Sequence, residues 1–271
     1  MITLEKYSID TEFLRPRESR FYPGDNSPCF EEWFLDNYDP TRNKSDRIFL
    51  PILTTELNKQ LRNRRTGRKV DEYFQNLDKK KKYAILCQHD DGVLFNMHGA
   101  DVKVFGMGCK GHVQLPLVCQ PHKYEFKENE RPIFASFIGA ITHPIRERMV
   151  NELKDKDGYF ISTERTSLES YCKIMSMSKF ALCPRGYGKT SFRIQEALQY
   201  GAIPVYISDE FLYANMTCLE IDERLIDCLE EKLNSRWELG RYNGLTSDGN
   251  KRLFERFYTY SAVANMIYEN L

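Results

Sequence analysis

The sequence predicts an α/β protein of two lobes, each a parallel sheet covered by helices, with a cleft between them. Three observations carry that prediction. Short apolar runs alternate with longer amphipathic stretches, the pattern of strands buried on both faces by helices. A polar segment bracketed by prolines, PHKYEFKENERP (121–132), reads as a linker that divides the alternation in two. The chain of 271 residues, 41% hydrophobic and 13% aromatic, holds enough apolar material for real cores.

The elements follow in chain order. Residues 1–45 read as irregular, rich in proline and aromatics, with one helix-like piece, CFEEWFLDNY. RIFLPIL then reads as a buried strand, TELNKQLRN and VDEYFQNLDK as amphipathic helices, and YAILCQ, VKVFGMG and VQLPLV as further strands. The basic cluster RNRRTGRK (62–69) reads first as a solvated loop or helix end and second as a local anion or polysaccharide contact. The first lobe is assigned residues 1–125. The second, 126–250, alternates more regularly: strand IFASFIG, helix HPIRERMVNELK, strand GYFIST, helix SLESYCKIMSMS, strand FALC, helix KTSFRIQEALQY, strand IPVYI and helix ERLIDCLEEKLNS. A final helix takes 251–271, in a region carrying an aromatic stripe of Phe254, Phe257, Tyr258 and Tyr260. Ligands of such sheets bind beyond the carboxyl ends of the strands.

Thirty-nine basic and 39 acidic side chains cancel, which argues against general nucleic-acid or membrane-surface binding. The stretch MITLEKYSIDTEFLRPRESR is charged throughout, and no apolar run nears the roughly 20 residues of a membrane span. The expectation is a cytoplasmic protein with no membrane span. Eight cysteines show no CxxC pair and no zinc spacing; Cys87, Cys183 and Cys228 fall in apolar runs and read as buried reduced thiols.

One stretch carries chemistry: KFALCPRGYGKTSFRIQEALQYGAIPVYISDE, residues 179–210. Gly188-Lys189-Thr190 looks like the end of a nucleotide-triphosphate loop. That loop needs a glycine at position 183 for its tight turn, and the chain has Cys183-Pro184 there. The match fails at its strictest position. What survives is a strand, a flexible Gly186-Tyr187-Gly188 turn and a helix start, a combination that suits a diphosphate. Arg185 adds a charge-assisted hydrogen bond, and Lys189 and Thr190 belong to the same turn. Arg193 and Glu196 share one helix face, where the carboxylate is placed to accept ribose hydroxyls.

These residues closely resemble the signature of the exostosin family of glycosyltransferases, S-K-F-x-L-x-P-R-G, then S-x-R-x-x-E-A-L, then G-x-I-P-V. The resemblance extends over 133–212, taking in SFIGAITHPIRERM and SLESYCKIMSMSKF. It implies a GT-B-like fold of two Rossmann-like lobes, with a C-terminal helix crossing back. It also implies an inverting transfer of a sugar from a nucleotide sugar, mostly UDP-linked, to an oligosaccharide or glycoconjugate. Residue by residue, Arg185 and Gly186 match its P-R-G turn, and Arg193 and Glu196 its R-x-x-E. Arg146, following Gly139, matches its I-R element and would face the same diphosphate. Many GT-B enzymes carry a second glutamate eight residues before the ribose-binding one; here that position is Gly188.

Leaving-group stabilisation by arginines and helix ends predicts metal independence and no cofactor beyond the nucleotide sugar. The one Asp-x-Asp triplet, Asp155-Lys156-Asp157, reads as a solvated turn after a helix. The acceptor hydroxyl needs a base. His89, Asp90 and Asp91, at the end of the strand YAILCQ, are the candidates, with His112 next. His143 reads as a helix cap before Pro144, and His98 and His122 as surface residues. Two further readings stay open: a catalytically inactive nucleotide-sugar or glycan-binding protein, and a P-loop-type phosphotransferase.

Overall fold

The computed structural model describes residues 28–126, 130–212, 218–238 and 247–271. The assignment of 1–45 as irregular therefore lies largely outside the described residues. The chain divides into two compact units, residues 1–120 with 260–271 and residues 121–259.

In the first unit, β1 (Arg47–Phe49), β2 (Lys82–Cys87), β3 (Asp101–Met107) and β4 (Val113–Leu115) form a parallel sheet in the order β1-β2-β3-β4. Among the described residues, three α-helices precede β2: α1 (Phe30–Asp36), α2 (Thr54–Gln60) and α3 (Arg64–Gln75). The basic cluster thus opens α3, which turns Val70, Tyr73 and Phe74 into the core. Leu57, Phe74, Tyr83 and Ile85 centre that core, none of them exposed. Parallel neighbours usually need a crossover of a dozen residues or more. Here β3 reaches β4 through residues 108–112 alone, because two glycine backbones touch. A Cβ on Gly106 would stand 2.5 Å from the Cys109 carbonyl oxygen, and one on Gly111 2.6 Å from the Gly106 nitrogen.

The second unit is a five-stranded parallel sheet: β5 (Ile133–Ile138), β6 (Tyr159–Ser162), β7 (Ser178–Pro184), β8 (Ile203–Ser208) and β9 (Leu219–Asp222). Its order is β6-β5-β7-β8-β9. The chain winds outward from β5 to β6, then returns past β5 to β7, so the winding reverses between β5 and β7. Doubly wound sheets bind ligands at that reversal, outside the carboxyl ends of the strands. The helices are α4 (Pro144–Leu153), α5 (Leu168–Ser176), α6 (Arg193–Gln199), α7 (Leu229–Glu238) and α8 (Ser247–Phe257), with a short 3₁₀ turn over Glu223–Cys228. Pro144 starts α4 as expected, and His143 caps it, Ile145 N donating to Nδ1 at 3.3 Å. Phe137, Met149, Phe180, Leu182, Val205 and Leu229 form the core.

The expected fold class is present as two Rossmann-like parallel sheets. Several details differ. Residues 121–126 of the expected linker are held at the end of α6: His122 N donates to Gln199 Oε1 (3.0 Å), and Tyr200 OH to the Tyr124 carbonyl (3.0 Å). The predicted final helix is two, α8 and α9 (Tyr260–Asn270), because its halves serve different cores. Asn250 on α8 donates to the Ala202 carbonyl (2.8 Å) within the second unit. Tyr260 stands edge-on to Phe30 at 5.1 Å within the first, which divides the aromatic stripe. β9 was not predicted. Cys87 and Cys183 are buried as expected, but Cys228 is exposed, since it ends a 3₁₀ turn. Among the described residues, no helix is long and apolar enough to cross a membrane.

A candidate anion-binding site at the sheet reversal

The carboxyl ends of β5 and β7, where the winding reverses, gather three buried arginines from distant parts of the chain. Arg146 comes from the first turn of α4, Arg193 from the start of α6, and Arg185 directly follows β7.

Arg146 is spent on backbone. Its Nε donates to the Arg185 carbonyl (2.9 Å), Nη1 to Ala140 (3.0 Å) and Nη2 to Pro184 (3.2 Å). Burial, with the Arg193 charge adding to it, pulls its pKa down to about 10. Arg193 donates from Nη2 to the Ile138 carbonyl (2.7 Å), and its guanidinium lies 4.8 Å from the centre of the Phe137 ring. The glycines expected at the site explain how both guanidiniums reach the strand ends. A Cβ on Gly139 would come within 2.7 Å of Arg193 Nη2, and one on Gly186 within 3.1 Å of Arg146 Nη2. They make room for arginines.

Arg185 faces the other way. Nη1 meets Asp209 Oδ1, and Nη2 donates to the Tyr187 carbonyl (3.2 Å). Lys189 Nζ donates to the second Asp209 oxygen at 2.5 Å, so one carboxylate bridges two cations. The Nε atoms of Arg185 and Arg193 are buried with no hydrogen-bond partner among the described residues. Buried polar groups are normally paired, so these two N–H groups remain available to an acceptor at the sheet edge.

The helix predicted from Lys189 starts only at Arg193. Gly188, Lys189 and Thr190 instead belong to a turn lashed to β8: Tyr206 OH and Ser208 Oγ both donate to the Lys189 carbonyl at 2.8 Å. Their amides are therefore not the free end of a helix. Tyr187, at the tip, is 69% exposed.

Glu196 shares the face of Arg193 as expected and centres a buried network. Tyr171 OH donates to Oε2 (2.6 Å), and His122 Nε2 lies 2.8 Å from Oε1. Burial pushes its pKa up, but His122, Arg193 and Tyr171 outweigh that and hold it below the ordinary value. The side chain is 9% exposed, so a ribose would meet only its remaining lone pairs. His122, read as a surface residue, is buried instead, because it pairs with Glu196 across 74 residues of sequence.

In the first unit, His89, Asp90 and Asp91 follow the carboxyl end of β2, in the turn closed by Gly92 N donating to the His89 carbonyl (2.8 Å). Asp91 N donates to His89 Nδ1 at 3.2 Å, which requires Nδ1 to be unprotonated. His112 is likewise tied down, its Nδ1 accepting from Val104 N at 3.0 Å. Asp155, Lys156 and Asp157 are exposed, and Lys156 pairs with Glu230 at 2.7 Å. Asp209, Tyr171 and His122 escaped the sequence reading. Only Asp209 left a signal, as the carboxylate in the polar turn directly after IPVYIS.

Residues 93–224 match the family model described as the Exostosin GT47 domain. The chain is 35% identical over 85 residues to a probable glycosyltransferase of Arabidopsis thaliana, covering 31% of this chain and 16% of that protein. It is 30% identical over 121 residues to ribitol-5-phosphate xylosyltransferase 1 of Mus musculus, covering 40% of this chain and 27% of that one. The chain thus spans well under a third of the length of these relatives. Among solved structures, TarM superposes with a TM-score of 0.44 at 9% identity, over 75% of this chain and 53% of that one.

Proposed function

We propose, from the match of residues 93–224 to the exostosin GT47 family model, that this chain is the catalytic part of an inverting, metal-independent glycosyltransferase. Its donor is a nucleotide sugar, UDP-linked in the first instance, and its acceptor a hydroxyl of an oligosaccharide or glycoconjugate. A single observation supports this most: cations and partnerless buried N–H groups meet where a doubly wound sheet takes its ligand.

In this reading the diphosphate lies against the turn 185–190. Arg185 and Lys189 neutralise the charge that builds on the leaving oxygen as the sugar's anomeric C–O bond breaks. Arg146 works indirectly, holding the carbonyls of residues 140, 184 and 185 so that the turn keeps its shape. The acceptor oxygen forms its bond on the opposite face of the sugar and gives its proton to a base. The hydrogen bond onto His89 Nδ1 favours the Asp91 carboxylate for that role over the imidazole. The cation set of Arg185 and Lys189 supports independence from a divalent ion.

The test is a thermal-shift panel of nucleotide sugars, followed by transfer assays in excess chelator. The right donor adds RT ln(1 + [L]/Kd) to the unfolding free energy and so raises the melting temperature, and transfer persists with the chelator. A panel with no stabilising member removes the donor assignment, and loss of transfer in chelator removes the metal independence.

A further inference from the structure

Asp209 stands directly beyond β8, at the same sheet edge as the turn it touches. Its two oxygens take Arg185 Nη1 and Lys189 Nζ separately, as two oxygens of one phosphoryl group would. We propose that Asp209 is an internal placeholder for phosphate: its carboxylate occupies the anion subsite in the unliganded protein, yields it to the donor diphosphate, and competes again to help expel the nucleoside diphosphate product.

Two observations separate this from a structural role. First, the turn does not depend on Asp209. Arg185 N donates to the Ile207 carbonyl (2.8 Å), Arg185 Nη2 to the Tyr187 carbonyl (3.2 Å), and the Tyr206 and Ser208 hydroxyls hold the Lys189 carbonyl. Second, the Asp209 side chain is 39% exposed, and ion pairs so open to water add little to stability. A carboxylate that is dispensable for the fold yet bridges both cations of the turn acts on what else reaches them. Burial raises its pKa, and the Lys189 and Arg185 contacts more than reverse that, so it remains an anion and a competitor throughout the neutral range. The identity of the ligand rests on the nucleotide-sugar reading; the occupancy of the subsite does not.

Calorimetric titration of wild type, Asp209→Asn, Arg185→Ala and the double variant with inorganic pyrophosphate and with UDP decides it. Asp209→Asn is expected to bind pyrophosphate and UDP more tightly than wild type by a common factor, roughly 1.5- to fivefold, the range of a partly exposed charge contact. The Arg185→Ala change should cancel that gain. Unchanged or weaker pyrophosphate binding by a folded Asp209→Asn protein overturns the proposal and makes Asp209 a positioning residue. So does the absence of pyrophosphate binding by either protein. Asp209→Ala repeats the measurement should the asparagine variant fail to fold. Failure of the nucleotide-sugar reading looks different: UDP then binds no better than pyrophosphate, while the Arg185-dependent gain persists.

Discussion

Glu31 in the first unit and Glu196 in the second are both buried carboxylates, and the two behave in opposite ways. In the first, Glu31 accepts from Thr55 N (3.0 Å), Thr55 Oγ1 (2.7 Å) and Gln88 N (2.6 Å), all neutral donors. Burial outweighs them and pushes its pKa up to about 7. In the second, Glu196 is also buried, but His122, Arg193 and Tyr171 surround it and its pKa falls. Neutral hydrogen bonds lower a buried acid's pKa less than burial raises it; cations reverse the balance. Glu31 therefore serves the fold, satisfying the first turn of α2 and the end of β2. Glu196 belongs to a set of charges assembled at one sheet edge, which is what an anionic ligand requires.

The largest test of this contrast is Glu196→Ala. It leaves Tyr171, His122 and Arg193 buried without their carboxylate, and breaking a buried ion pair costs about 3–5 kcal/mol. A urea midpoint within error of wild type would show the network to be incidental. Next is the pH dependence of Glu31. Its pKa is higher folded than unfolded, so the stabilised form is protonated. Stability is greatest below about pH 4.5 and falls as pH rises through about 7, by roughly 3 kcal/mol if Glu31 alone titrated. Glu31→Gln should flatten that slope in urea melts at pH 5 and pH 8 while leaving UDP binding intact. Arg185→Ala should weaken UDP binding by about tenfold or more, since a charged hydrogen bond is worth roughly 1.5–3 kcal/mol, with the melting temperature nearly unchanged. Gly139→Ala forces a methyl against Arg193 Nη2 and should cost about 1–3 kcal/mol of stability, read by the same melts. The smallest effect belongs to Asp155→Asn with Asp157→Asn: less than about 0.5 kcal/mol, and no change in transfer activity.

Much of the second unit was legible because its strands are buried on both faces, so IFASFI, SKFALCP and IPVYIS announce themselves as apolar runs. β9 escaped because LEID is short and half polar. The arginines of the site were legible as residues but not in their roles. Nothing local shows that Arg146 would turn toward carbonyls 39 residues away, or that Gly139 exists to admit Arg193. The start of α6 was misplaced for a similar reason: the hydroxyls that hold the 187–190 turn come from β8, later in the chain. Pairings such as His122 with Glu196 are created by the fold and leave no spacing to read.

The grip of Arg146 has a dynamic consequence. A single planar group fastens carbonyls in two separate loops, one at residue 140 and one at 184–185. Neither loop can swing open to water without stranding a buried cation, so the two must breathe as one unit. Amide exchange in both should then follow a common rate, and should accelerate together once that arginine is replaced by lysine, whose point charge cannot reach three acceptors at once.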